Sequence, residues 1–225
     1  MIVETMSIEE VSRAVLKTAS CNSERFDKVV SHRVKGYKKV IFNGNKQCYY
    51  FKPIKVKADG IEFYVCPFCF GKSDYKKNGI TCKVFSHFYY KGTNWYCISN
   101  SEFTTLQMFR QHFFERYIER HLKDGSRVSI DTVRRYLKET DKCTICLTTD
   151  NPKHPNGIYG ASNIGVCCGY SCGKDISVWL TYIDKETLTK GEKKELFDIT
   201  EDIKNTIDLI SYDVEVSAIM IETAA

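Results

Sequence analysis

A segment of nineteen residues without glycine or proline, Thr105–Lys123, most constrains the fold of this chain. Its apolar residues recur at spacings of three and four, which is typical of a helix with one apolar face: Leu106, Phe109, Phe113 and Tyr117. Met108 falls on the polar side of that helix. Asp124-Gly125 follows as a stop signal, because glycine is common just past a helix end. The segment therefore predicts an amphipathic helix over residues 105–123.

Three charged or titratable residues follow one edge of this predicted helix. His112, Arg116 and Arg120 stand four residues apart. Histidine exchanges protons near neutral pH, and arginine binds carboxylates and phosphates with two parallel hydrogen bonds. We therefore predict these residues as candidate catalytic residues, with Arg120 at least partly buried. The alternative is structural, with Arg120 in an ion pair and His112 bonded to a backbone carbonyl.

The composition indicates a folded protein. The chain has 225 residues, 43% of them hydrophobic and 13% aromatic, enough for one large domain or two small ones. No apolar run reaches the roughly 18 residues that a membrane span requires. The N-terminal sequence carries Glu4 and lacks a positive region followed by an apolar one, so we predict no signal peptide. We therefore expect a cytoplasmic protein that does not associate with membranes.

The chain has eleven cysteines, an odd number, so a disulfide framework is not expected. Buried reduced thiols are one interpretation, with no cofactor. Structural zinc is the alternative, because two C-x-x-C pairs and a later cluster supply six candidate ligands: Cys66, Cys69, Cys143, Cys146, Cys167 and Cys172. A redox pair is disfavoured, because the residues after Cys69 are not predicted to form the helix that lowers a thiol pKa.

A basic stretch occupies residues 28–57. It contains nine Lys or Arg and no Asp or Glu, interleaved with aromatic residues. Cations with aromatic residues between them are typical of nucleic-acid binding, where the rings stack on bases. A hairpin with a solvated lysine face and an aromatic core face explains the pattern equally well. Under the first interpretation the nucleic-acid-binding residues are Arg33, Lys35, Lys38, Lys39, Lys52, Lys55 and Lys57.

The remaining patterns predict an α+β fold, with an antiparallel sheet or meander packed against central helices and helical N- and C-terminal flanks. Asn43-Gly44 predicts a hairpin between residues 37–42 and 47–54. Ser7 and Ser129 are predicted to cap helices over 8–18 and 130–138, and residues 21–27 a polar connector. We predict an N-terminal helix in 1–24, a core domain over 25–183 and an acidic helical segment over 184–225, which has eleven acids and five bases.

Residues 111–137 resemble uncharacterised bacterial and phage proteins that carry a His-Phe-Phe-x-Arg-Tyr-x-x-Arg string. The matching positions are His112, Phe113, Phe114, Arg116, Tyr117 and Arg120. The resemblance covers about a tenth of the chain and implies that this segment is a unit. It implies no activity.

Two functional hypotheses follow, and a structural zinc module is a third. In the first, the protein binds RNA and cleaves it without a metal, with His112 as general acid or base and the arginines holding the phosphate. In the second, it is a non-catalytic protein-interaction or phage accessory protein, whose acidic C-terminal helix covers its own basic sheet or that of a partner. The sequence does not decide whether the protein is an enzyme.

Overall fold

The computed structural model describes residues 2–140, 144–148, 155–188, 191 and 193–198, with only the backbone described for 144–147. The chain forms two compact units, residues 1–108 and 109–225. The segment boundaries predicted from the sequence, at 24/25 and 183/184, are not tested by this division and stay a prediction.

The first unit begins with three helices, of which the first forms as predicted. Helix α1, Ile8–Cys21, begins at Ser7, whose hydroxyl accepts from the Glu10 amide while the Glu10 carboxylate accepts from the Ser7 amide. Its apolar face buries Val11 and Val15. Helix α2, Ser23–Ser31, covers most of the predicted connector, because Phe26 and Val30 give that segment a buried face. Phe26 packs against Phe63 at 5.3 Å between ring centroids.

The hairpin predicted around Asn43-Gly44 is wrong. Residues Val34–Asn43 form helix α3. Gly44 has an ordinary extended φ of −102°, so it ends the helix and makes no tight turn. A side chain at position 44 would meet the Tyr49 hydroxyl at 2.5 Å, which explains the glycine. The Asn-Gly pair is a helix C-terminus here, a role that glycine also fills commonly.

The sheet of the first unit is antiparallel and largely as predicted. Its strands are ordered β1-β3-β4-β5, and β2 also pairs with β3. Positive φ at both central residues marks the turns Asp59-Gly60 and Lys91-Gly92, which is the geometry of two-residue hairpins. The elements are β1 Tyr49–Tyr50, β2 Ile54–Ala58, β3 Ile61–Cys69, helix α4 Gly71–Asn78, β4 Thr81–Tyr90 and β5 Thr93–Ser99.

The helix predicted over 105–123 is wrong in its first part. Residues Leu106–Arg110 form strand β6, and helix α5 occupies only Gln111–Tyr117. In the strand, Leu106 and Met108 lie on the same side and are both buried. This explains why the apolar residue Met108 did not fit the apolar face of the predicted helix. The helix then widens into a π-helical turn, Ile118–Leu122, in which the Lys123 amide donates to the Ile118 carbonyl at 2.7 Å.

In the second unit, helices pack against antiparallel strands that pair in the order β7-β8-β9-β10. Helix α5 packs on β10, and helix α6 begins at Ser129 as predicted. Aromatic rings of β6, of these helices and of β10 fill the core: Phe109, Phe113, Phe114, Tyr117, Tyr136 and Tyr182. The remaining elements are α6 Ile130–Glu139, β7 Thr144–Thr148, β8 Gly157–Ser162, β9 Gly165–Ser171 and β10 Ile176–Asp184.

A short helix at residues 193–198 closes the described part of the second unit. Its Leu196 and Phe197 are buried against Ala161 and Val166. The rest of the acidic helical segment that was predicted from the sequence lies outside the described residues. The helices and antiparallel strands together confirm the predicted α+β fold class.

Candidate functional site

Helix α3 gathers the cations of the basic stretch on one exposed face. Lys35, Lys38 and Lys39 are exposed, and spacings of three and four residues put them on the same side of the helix. Arg33 is exposed at the residue that precedes the helix. Among the described residues, none of the three lysines forms an ion pair with a carboxylate. No carboxylate of the described residues therefore neutralises these three charges directly.

Helix α4 adds three more exposed lysines, Lys72, Lys76 and Lys77. It packs against α3 through Phe42 and Tyr75, whose rings meet edge to face at 5.7 Å. Lys38 and Lys39 precede Phe42 by about one turn, and Lys72 and Lys76 lie within one turn of Tyr75. Spacings of three and four residues therefore put Lys38, Lys39 and Lys72 beside the rings that form this contact.

The only acid on these two helices is Asp74, and its carboxylate is already bonded. It accepts from the Phe70 amide at 2.7 Å and from the Asn78 side chain at 2.9 Å. We name this region the α3–α4 cationic surface: Arg33, Lys35, Lys38, Lys39, Lys72, Lys76 and Lys77. The last three were not predicted from the sequence, although the run Lys72–Lys77 contains three lysines and one acid.

The other three predicted nucleic-acid-binding residues lie outside the α3–α4 cationic surface. Lys52 is exposed between β1 and β2. Lys55 and Lys57 point outward from β2 and pair with Glu62 on β3, at 2.5 and 3.4 Å. Burial raises the pKa of Glu62, but hydrogen bonds from Lys55, Tyr64 and Lys57 outweigh it and lower that pKa to about 2. An acid on the neighbouring strand, just beyond the basic stretch, therefore neutralises part of it.

The aromatic residues of the basic stretch pack against other parts of the protein. Tyr37 stacks on Phe51 at 4.0 Å, and Tyr50 stacks on Phe68 at 5.9 Å. Tyr49 is 5% exposed and its hydroxyl donates to the Ile41 carbonyl at 3.2 Å. These rings pack inside the protein, as the hairpin interpretation of the basic stretch predicted. The hairpin itself is not formed, because α3 is a helix.

The predicted catalytic residues are brought together only in part. His112 and Arg116 lie on α5 and contact each other, with Arg116 Nε donating to His112 Nε2 at 3.3 Å. Each also pairs with an acid on the same helix, His112 with Glu115 at 3.2 Å and Arg116 with Glu119 at 2.5 Å. The His112 side chain is 54% exposed. This pair is the part of the predicted edge that solvent reaches.

Arg120 lies on the π-helical turn and is partly buried, as predicted. Its guanidinium donates to the backbone carbonyl of Tyr182 on β10, which is a structural contact. The partner expected from the sequence was a carboxylate or a phosphate. A catalytic role for His112, Arg116 and Arg120 stays a prediction.

A second group of titratable side chains in the second unit surrounds His121, which was not among the predicted site residues. Nδ1 of His121 lies 2.8 Å from Asp184, and Nε2 lies 3.3 Å from Glu139. The ring also stacks on Tyr117 at 5.3 Å. Asp184 is 3% exposed, so the histidine provides this buried carboxylate with a hydrogen-bond partner.

Neighbouring side chains complete the His121 cluster. The Tyr117 hydroxyl donates to Glu139, and Arg135 pairs with the other oxygen of Glu139 at 3.1 Å. Burial raises the pKa of Tyr117, and the hydrogen bond and charge of Glu139 raise it further, so this phenol stays protonated. Both nitrogens of His121 therefore face carboxylates, and the cluster joins the π-helical turn to α6 and β10.

The candidate zinc ligands Cys66 and Cys69 lie three residues apart on β3, whose pairing with β4 is regular. Side chains alternate along a strand, so these two thiols point to opposite faces of the sheet and do not suit one ion. Burial raises the pKa of Cys69 to about 12, with Asp74 adding to the effect. Contrary to the prediction, helix α4 does follow Cys69, but it leaves this thiol protonated.

The later candidates also lie on strands or outside the described residues. Cys167 is buried on β9, where its sulfur lies 3.2 Å from the Tyr136 hydroxyl, and Cys172 follows the end of that strand. Cys143 and the side chain of Cys146 lie outside the described residues. Within the described ranges, no group of three or more His, Cys, Asp or Glu side chains is placed so that it could hold a metal ion. Structural zinc stays a prediction.

No helix in the described part of the chain is both long and apolar enough to cross a membrane. No protein-family model matches the sequence, and neither the curated proteins nor the solved structures include a match. The resemblance of residues 111–137 to bacterial and phage proteins therefore stays a prediction.

Proposed function

We propose that this protein binds RNA through the α3–α4 cationic surface. The observation that carries the proposal is the grouping of seven exposed cations on two packed helices whose only carboxylate is already hydrogen-bonded. Lysines that neutralise phosphates release counterions, and this release drives binding that is largely independent of sequence. Association with RNA should therefore be strong at low salt and weaken steeply as salt is added.

A triple substitution tests the surface. Lys35, Lys38 and Lys39 are changed to Gln together, and RNA binding is followed by fluorescence anisotropy from 50 to 200 mM monovalent salt. Each lost phosphate contact should reduce the slope of log affinity against log salt by about 0.7 to 0.9, so the slope should fall by about 2.

The matched control changes three exposed lysines elsewhere, Lys17, Lys174 and Lys185, to Gln. The two variants have the same net charge, so a difference between them reports position and not total charge. Equal binding by both variants would contradict the proposed surface. Absence of RNA binding by the wild type at 50 mM salt would remove the proposal and favour the protein-interaction alternative.

Cleavage of bound RNA is a second candidate, and one observation supports it. The exposed His112 ring lies in hydrogen-bond contact with the Arg116 guanidinium, which would place a proton-transfer group beside a phosphate-binding cation. Incubating RNA with the protein in excess EDTA should yield shorter fragments if this pair is catalytic. The change His112→Ala should then abolish them, and fragments that persist would come from a contaminant.

A further inference from the structure

We infer that the α3–α4 cationic surface binds double-stranded nucleic acid. It contacts the phosphate backbone of the duplex, and no base stacks on the protein. The inference rests on the proposed RNA binding and specifies the form of nucleic acid. Proteins that hold single strands combine cations with exposed rings on which successive bases stack. A surface that offers charges without such rings gains its affinity from phosphate density alone.

The rings closest to the lysines are engaged inside the protein. On α3, Tyr37 stacks on Phe51 at 4.0 Å, and Phe42 contacts the edge of Tyr75 at 5.7 Å. Phe42 also lies beneath Lys38, whose ammonium is 6.0 Å from the ring centroid. These contacts occupy ring faces that a flipped-out base would need.

Phe70, which directly precedes α4, is the ring that tests this argument. It is 48% exposed and meets Phe68 edge to face at 5.4 Å. Among the described aromatic residues near the α3–α4 cationic surface it is the one with a large exposed area. One exposed ring can hold one base, whereas single-strand binding uses a row of them.

The charge density of a duplex also favours its binding to this surface over that of a single strand. A duplex presents about one negative charge per 1.7 Å of its axis, and helix α3 spans about 15 Å. A lysine face of that length therefore meets several phosphates of a duplex at once. Counterion release per neutralised phosphate is also larger for double-stranded than for single-stranded DNA, with slopes of about −0.9 and −0.7.

The experiment compares the binding of three probes to the full chain at 100 mM salt. Each strand of each probe is 24 nucleotides long. They are a double-stranded RNA, a double-stranded DNA and an unpaired uridine strand. Both duplexes should bind at least about fivefold more tightly than the single strand, and Lys35/Lys38/Lys39→Gln should weaken the duplexes most. Tighter binding of the uridine strand would overturn the inference and leave the proposed RNA binding intact.

The change Phe70→Ala provides a second, independent readout. Stacking of one base on this ring would make the substitution cost at least about fivefold in affinity, whereas backbone contact predicts a change within about twofold. A loss of about fivefold or more for either duplex would overturn the inference. Binding of the DNA duplex alone would support backbone contact and contradict the proposed RNA target, and no binding to any probe would contradict the proposed function itself.

Discussion

At the scale of single residues, the charged side chains of this protein are paired with groups that strand pairing and helix packing bring to them. Lys55 and Lys57 belong to an acid-free stretch, yet both pair with Glu62 across the β2–β3 hairpin. His121 receives its two carboxylates from α6 and β10. Arg120 donates to a backbone carbonyl on β10. The environment of each side chain therefore follows from strand pairing and helix packing.

Glu62 should make stability depend on pH in an acidic window. Its pKa is about 2 in the folded protein against 4.5 for the free side chain, so the contribution is complete above pH 4.5 and is lost as the pH falls towards 2. We expect Glu62→Gln to be less stable than wild type at pH 7, by on the order of 1 kcal/mol after solvent screening.

Urea unfolding of both proteins between pH 2 and pH 7 measures this effect. The difference between them should shrink steadily below pH 4.5. A constant difference across that range would mean that the ion pairs of Glu62 do not contribute.

His121 should contribute more to stability than His112. The change His121→Ala leaves the buried Asp184 carboxylate without its closest hydrogen-bond partner and removes the stack on Tyr117, so we expect a loss of about 2 kcal/mol or more. His112→Ala removes an exposed side chain and should cost within about 0.5 kcal/mol. Equal midpoints of urea unfolding for the two variants would contradict the structural role of His121.

At the scale of elements, the type of each element decides what its motif can do. A C-x-x-C pair on a helix turn brings two sulfurs together, but on β3 the same spacing separates them. Residues three apart in a strand span about 10 Å, and a disulfide requires less than about 7 Å between its α-carbons. Likewise, the π-helical turn after α5 shifts Arg120 and His121 from the positions that a regular helix would give them.

Thiol reactivity tests the strand environment of Cys69. Burial raises the pKa of this thiol to about 12, whereas Cys21 is exposed. In the native protein at pH 8, iodoacetamide should modify Cys21 within minutes and leave Cys69 unmodified, because the thiolate is the reactive form. Peptide mass spectrometry reads the result, and alkylation in urea is the control in which both react. Rapid native alkylation of Cys69 would contradict the buried environment described here.

At the scale of the whole molecule, charge is divided unevenly between the two units. Residues 1–108 contain 17 Lys and Arg against 9 Asp and Glu, while residues 109–225 contain 16 against 19. The net charge of +5 therefore understates the positive charge of the first unit. Such separation favours a polyanionic partner, because local potential and not net charge steers association.

Cation-exchange chromatography at pH 7 should detect this clustering. The variant Lys35/Lys38/Lys39→Gln should elute at lower salt than Lys17/Lys174/Lys185→Gln, although the two have the same net charge. The expected reason is that clustered lysines bind the anionic resin together, whereas dispersed ones act singly. Coelution of the two variants would show that α3 holds no special concentration of accessible charge.

Several local structures could be predicted because nearby residues determine them. The caps at Ser7 and Ser129 and the turn at Lys91-Gly92 all depend on contacts within a few residues. The hairpin at Asn43-Gly44 and the first part of the 105–123 helix were wrong for the opposite reason. Lys38–Asn43 and Leu106–Arg110 carry patterns that suit a helix or a strand, and packing of Ile41 and Met108 selected between them.

The α+β class, the capped helices and the cation-rich, acid-free stretch follow from the amino-acid sequence alone. Which of these cations pair with a carboxylate of the described residues depends on the folded structure. It placed Lys35, Lys38 and Lys39 on an open helix face, added the lysines of α4, and brought Glu62 to Lys55 and Lys57. This is because caps and turns form between residues close in the chain, whereas the neighbours of a surface cation depend on which strands pair and which helices pack together.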